Sequence, residues 1–304
     1  MSILEDIKWQ FKARNVLMQL IIVNVAVFLL IRIFALILFM SGYSPEVLWA
    51  TVDEWVVKWL ALPYDPHVLL YRPWTIITHF FLHLEFAHLF WNMITLFFFG
   101  TVFVQYASNA RLLAVYVYGA LTGAVLSFLS YQFIPNLHRF EPASVMLGAS
   151  GGIMAIILAT ATLVPNMVVR VFFLFEVQLK YIAAFFVLID VISLPYYNNS
   201  GGHFAHLGGA LFGYIFMTQY KKGRDWSRWF NRAFDLLRSP FSRSGRSRMK
   251  VVHTRSKKSD EEYALEKNKL QQRVDEILDK ISRSGYESLT KEEKEILFKS
   301  SNKL

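Results

Sequence analysis

VMLGASGGIMAIILATAT, residues Val145–Thr162, sets a serine among glycines at the head of an apolar run that ends at Pro165. At about 1.5 Å per helical residue, Ser150 to Pro165 covers only about 22 Å. A bilayer core is about 30 Å thick. A membrane helix anchored at Pro165 therefore leaves Ser150 beneath the opposite surface. A polar residue at that depth is costly unless a wet cavity reaches it. Ser150 is the residue to be explained.

Working outward, the composition supports a membrane setting. Of 304 residues 54% are hydrophobic, mean hydropathy is +0.34, and several apolar runs are long enough to cross a bilayer. Charge is segregated: residues 1–220 hold ten Lys/Arg and ten Asp/Glu, so the net charge of +9 resides in the remainder. There is no cysteine, which excludes disulfides, thiolate metal sites and cysteine catalysis. The first apolar run, Val16–Met40, is too long for the core of a cleavable signal and lacks a small-residue cleavage site. It is expected to be a retained span.

Six spans are expected. The first is Val16–Met40, with Asn24 and Arg32 turned towards other helices rather than lipid. The second, with its approach, is Trp74–Val104. The third is Leu112–Tyr131, the fourth begins at Ser150, the fifth is Lys180–Leu194 and the sixth is His203–Tyr220. Between the first two, Val47–Leu62 puts Trp49, Val52, Trp55, Val56, Trp59 and Leu60 on one helical face. That pattern fits a helix in the membrane interface, or an amphipathic helix packed on the body. Asn166–Gln178, rich in β-branched and aromatic residues, has no assigned state. Residues 221–258 carry thirteen Lys/Arg against Asp225 and Asp235, so the positive-inside rule puts both ends in the cytoplasm. The expected fold is all-α: a polytopic six-transmembrane-helix bundle with a cytoplasmic helical tail. Its parts are a short N-terminal segment (1–14), the membrane body (15–222), a basic linker (223–259) and a helical hairpin (260–304). In the hairpin, Leu270, Val274, Ile277, Leu278 and Ile281 form a stripe broken at Gly285. Thr290 with Glu293 makes a capping box for a second helix.

Three polar clusters lie on the second, fourth and sixth spans, whose N-terminal ends share the outer half of the membrane. His206 is fifteen residues from the basic edge at Lys221, as Ser150 is from Pro165, so the two side chains sit at matched depth. A serine hydroxyl becomes a nucleophile when a neighbouring base takes its proton, and histidine is suited to that task. His88 and Asn92, one turn apart on one face, supply N–H donors for an oxyanion, with the Ser150 backbone N–H as a third. Gly148 permits tight backbone geometry beside the serine and completes the expected oxyanion set. Gly151, Gly152, Gly208 and Gly209 allow close helix contact. Each motif alone has a plainer reading as packing or interhelical hydrogen bonding. The competing chemistry is metal binding by His79, His83 and His88, though no H-E-x-x-H motif accompanies them.

The motifs carry a resemblance. Tyr71-Arg72, Thr78-His79-Phe80-Phe81-Leu82-His83, His88-Leu89-Phe90-Trp91-Asn92-Met93, Gly148-Ala149-Ser150-Gly151 and Ala205-His206-Leu207-Gly208-Gly209 with Gly213 are similar to those of rhomboid intramembrane serine proteases. The resemblance covers about residues 15–222. It implies a six-helix fold and a Ser150–His206 dyad with no acidic third member. It also implies an oxyanion site using His88 and Asn92, and cleavage of transmembrane protein substrates near the outer face. Two positions depart from the family pattern: Val104 and Gln105 stand where a glutamate is often found, and Met154 where some members carry tyrosine. The implied enzyme needs no metal or cofactor, touches membrane lipid through its basic linker and binds no nucleic acid. Its expected location is a bacterial inner membrane, with an unidentified partner for the tail. The alternative is a catalytically silent scaffold that binds client helices.

Overall fold

The structure, a computed structural model, describes residues 15–140, 145–171, 175–196, 199–228 and 260–301. The expected N-terminal segment, Glu141 and Pro142, and most of the basic linker lie outside these residues. The chain divides into two compact units, residues 1–243 and 244–304.

In the first unit α1, Val16–Met40, starts at Asn15, whose side chain accepts from the Met18 N–H. The next helix, α2 (Pro45–Val52), runs through a π-helical turn, Asp53–Val57, into a last α turn, Lys58–Leu60. Then follow β1 (Leu62–Pro63), α3 (Pro66–Tyr71), α4 (Thr75–Thr78) and a 3-10 turn, His79–Phe81. Two long helices come next, α5 (Phe86–Tyr106) and α6 (Asn109–Phe133), and after them short α7 (Pro135–Phe140) and β2 (Val145–Met146). The fourth expected span is α8 (Ser150–Leu163). The strands β3 (Val168–Val171) and β4 (Phe175–Gln178) lead into α9 (Leu179–Ser193) and α10 (Ser200–Lys221). All six expected spans are helices. Among the described residues α1, α5 and α6 are long and apolar enough to cross a membrane, and α8 is a shorter apolar helix.

The body is mostly helical, as expected, with two short strand pairs added to it. The stretch without an assigned state is an antiparallel pair, Val168 opposite Gln178 and Val171 opposite Phe175, as its β-branched content favours. A second pair, Leu62 opposite Met146 and Pro63 opposite Val145, ties the segment that follows α2 and its last turn to the segment before α8. The tryptophan face also differs from its expected form. The π turn inserts an extra residue into the helical repeat, so Leu48, Val52 and Val57 are buried while Trp55 is 69% exposed. Trp59 stacks on Trp74, and the Trp74 indole N–H donates to the Trp59 carbonyl at 2.8 Å.

The centre of the body is α8, held between α6 and α10. Its residues Ile153, Met154, Ala155, Ile156, Ile157 and Ala159 are buried. Small residues set this packing: a Cβ at Gly209 would overlap the Gly151 carbonyl, and one at Gly213 the Ala155 carbonyl. Helix backbones approach this closely only where no side chain intervenes. Asn24 is fully buried as expected. Its amide donates to the Leu20 carbonyl at 2.8 Å and lies 3.5 Å from the Tyr116 hydroxyl, which in turn donates to the Phe80 carbonyl. Arg32 donates to the Leu84 carbonyl and packs its guanidinium over Phe28 and Trp49.

The second unit contains α11 (Asp260–Ser284), a 3-10 turn (Tyr286–Ser288) and α12 (Lys291–Ser301). Gly285 at φ +78° breaks the pattern, and Ile277 and Leu289 are buried. The capping box forms: the Thr290 N–H donates to Glu293 Oε2 at 2.7 Å and the Glu293 N–H to Thr290 Oγ1 at 3.3 Å. Lys280 adds an ion pair to Glu293 at 2.9 Å. Of the expected stripe, Leu278 is exposed.

Candidate active site

A cavity of about 550 Å3 is lined by His88 and Asn92 of α5, Gly148 of the loop after β2, Ser150 of α8 and His206 of α10. The five residues expected from sequence thus share one space. Glu85, Val145 and Asn199, all exposed, line it as well, so it opens at the surface on that side.

The backbone around Ser150 explains its position. β2 is held by β1, and the Gly148 N–H donates to the His79 carbonyl at 2.9 Å. Gly148 takes φ +112°, in the left-handed region open mainly to glycine. A Cβ there would also fall 2.8 Å from His88 Cε1. The turn delivers Ser150 as the first residue of α8. A helix's first N–H groups have no carbonyl one turn back, and they carry its positive end. The Ser150 N–H therefore suits a developing oxyanion. Gly148 differs from expectation: its own N–H is engaged by His79, and its contribution is the shape of the loop.

The oxyanion candidates on α5 are positioned from behind. The Asn92 amide lies 2.9 Å from His83 Nε2, and His83 is fully buried. That contact fixes the Asn92 side chain. His79 uses Nδ1 to donate to the Thr75 carbonyl at 2.8 Å. These engagements commit His79 Nδ1 and His83 Nε2 to separate partners, which weighs against the competing reading of His79, His83 and His88 as a metal site. Among the described residues the group of ligand atoms close enough for an ion is a different one, Asp190, His203 and His206.

That trio was not foreseen. The resemblance implied a base with no acidic companion, yet Asp190 Oδ1 lies 2.8 Å from His206 Nδ1 and 2.7 Å from His203 Nδ1. These are hydrogen-bond lengths, shorter than the spacing of two ligands around a tetrahedral ion with bonds of about 2.1 Å. Asp190 is 4% exposed. It shares a face of α9 with Leu179 and Ala183, both buried. The signal in the sequence was a lone acid in an apolar helix, the single Asp or Glu between residues 177 and 224. A charge in such a helix marks a partner in the bundle.

The N-terminal end of α10 is tied down by hydroxyls. The Tyr64 hydroxyl and Ser127 Oγ are 2.6 Å apart, Ser127 donates to the Gly201 carbonyl at 2.7 Å, and the Tyr64 ring stacks on Tyr131 at 3.6 Å. One turn below Ser150, Met154 is buried in the core.

Comparison with known proteins points one way. A rhomboid domain matches residues 71–222, and a family of unknown function, DUF6576, matches residues 257–303. The chain is 27% identical over 219 residues to RHOMBOID-like protein 12, mitochondrial, of Arabidopsis thaliana, covering 69% of this chain and 60% of that one. It is 33% identical over 135 residues to Presenilin-associated rhomboid-like protein A, mitochondrial, of Danio rerio, covering 44% and 34%. Rhomboid protease GlpG of Salmonella newport is 32% identical over 69 residues, 23% of this chain and 25% of that protein. The matches thus span no more than 60% of these relatives' length. The mitochondrial names run against the bacterial inner membrane expected from the sequence; what stands is the coarser statement that this is a membrane protein.

Proposed function

This chain belongs to the rhomboid family, and on that premise we propose that it is a serine endopeptidase cutting transmembrane protein substrates near the outer face of the membrane. One observation carries the proposal: Ser150, His206, His88 and Asn92, from three separate helices, line the same cavity. Ser150 Oγ attacks the scissile carbonyl while His206 Nε2 takes its proton. The carbonyl oxygen, now negative, receives N–H donors from His88, Asn92 and the Ser150 backbone. His206 then passes the proton to the leaving amine, which departs as the new N-terminus. Water entering by the open side of the cavity repeats the sequence on the acyl-enzyme and frees Ser150. No step invokes a metal or cofactor.

In the proposed topology six helices cross the membrane, both ends face the cytoplasm and the cavity opens outward. The distribution of basic residues supports that orientation. Substrate enters sideways between α5 and α9. Exposed Trp91 and Phe97 on α5, with Phe185 and Leu188 on α9, give a transmembrane segment an apolar approach. The test uses purified protein in liposomes with a generic transmembrane substrate. Ser150→Ala and His206→Ala should each abolish cleavage, and a fluorophosphonate should label wild type but not Ser150→Ala. Retained cleavage in either variant refutes the dyad, and absence of labelling in wild type favours the silent scaffold.

A further inference from the structure

Asp190 is a buried acid with no part in the mechanism above, and an unpaired charge at that burial is expensive. Two imidazoles meet it. His203 and His206 both present Nδ1 to the same oxygen, Oδ1, at 2.7 and 2.8 Å, with their rings nearly perpendicular and 6.0 Å apart. A carboxylate oxygen accepts only, so both Nδ1 atoms carry protons. In a neutral imidazole a proton on Nδ1 leaves Nε2 as the acceptor. That is the tautomer a general base requires when Nε2 faces the nucleophile.

We propose that Asp190 is a positioning residue for His206: it fixes the ring's orientation and tautomer, and its charge stabilises the imidazolium formed when Ser150 gives up its proton. This rests on the protease reading and deepens it, since the base then has an acidic partner carried by α9. The carboxylate does not take the proton. The proton moves from Ser150 Oγ to His206 Nε2 and on to the leaving amine, while the Nδ1–H stays on the ring. His203 donates to the same oxygen and helps hold the carboxylate in the low-dielectric interior. Asp190 touches neither substrate nor reacting atoms, so its effect reaches the reaction through His206.

The experiment compares wild type, Asp190→Asn and Asp190→Ala, each full length and reconstituted, by cleavage kinetics, thermal unfolding and imidazole 15N NMR. Asn keeps the size and an accepting oxygen but loses the charge; Ala loses both. In wild type the His206 signals should report a protonated Nδ1, and in Asp190→Ala that preference should be lost. The kcat of Asp190→Ala should fall by about a hundredfold or more, with Asp190→Asn between it and wild type, and KM should stay within about threefold. Should Ala fail to fold, the near-isosteric Asn variant still decides the matter through kcat, because it keeps an acceptor for Nδ1–H and removes the charge. An active wild type with variants within about threefold in kcat, or with the loss confined to KM, or with an unchanged tautomer in Asp190→Ala, overturns this assignment alone. A wild type that neither cleaves nor takes fluorophosphonate overturns the protease reading and this assignment with it.

Discussion

Gly209→Ala probes whether helix approach, rather than side-chain identity alone, builds the site. A methyl at Gly209 would overlap the Gly151 carbonyl, one residue from Ser150, while Gly209 itself lies three residues from His206. To restore an ordinary contact of about 3.5 Å, α8 and α10 must part by about 1 Å or more. Neither backbone yields easily, because α8 is enclosed on all sides. Overpacking of this kind costs about 1–3 kcal/mol, which for a body of this size lowers Tm by about 3–10 °C. The same displacement separates nucleophile and base, and a misplacement of about 1 Å removes about a hundredfold of rate. The assay is kcat on a reconstituted substrate beside a thermal melt of the same preparation. Activity within about threefold and a melt within about 1 °C of wild type would refute the argument that this contact sets the geometry.

Gly148→Ala forces a side chain into φ +112° against the His88 ring; it should cost about 1–2 kcal/mol and depress kcat, read by melt and kinetics. Ser127→Ala removes its hydrogen bonds to the Tyr64 hydroxyl and the Gly201 carbonyl and should destabilise by about 0.5–1.5 kcal/mol, with Tyr64→Phe compared in the same thermal assay. In the tail, the Thr290 backbone N–H and then Lys280 hold the Glu293 carboxyl below its ordinary value of 4.5. Its folded pKa is depressed, so this stabilisation is present above about 4.5 and is lost as pH falls through the lower folded value. Amide exchange at the start of α12 should quicken in that acid window, and Glu293→Gln should remove the pH dependence.

Hydropathy made the helices legible. A run such as Val16–Met40 has one economical conformation in lipid, and its observed bounds coincide with the expected ones. Polar residues within apolar runs made the cavity legible too, since Ser150, His88, Asn92 and His206 each needed a reason to be there. Asp190 escaped because it belongs to no motif: its partners lie 13 and 16 residues away on another helix, a pairing only tertiary contact creates. The π turn at Asp53–Val57 escaped for a different reason. Helical periodicity presumes a constant repeat, and one inserted residue rotated Trp55 away from the face assigned to it. For Gly148 the residue type was readable but not its use, because which carbonyl receives its N–H depends on the β1–β2 pairing that brings His79 alongside.

The enclosure of α8 bears on how such a chain is made. At 14 residues it is about 21 Å long, short for a bilayer, and its flanks meet protein rather than acyl chains. Insertion machinery sorts a nascent segment by its affinity for lipid, and this one, glycine-led and brief, has little claim to partition alone. Its burial is conferred by α6 and α10, and α10 is synthesised after it. The segment that bears Ser150 therefore reaches its final packing only once the later helix α10 is in place, and the site is completed no earlier than that.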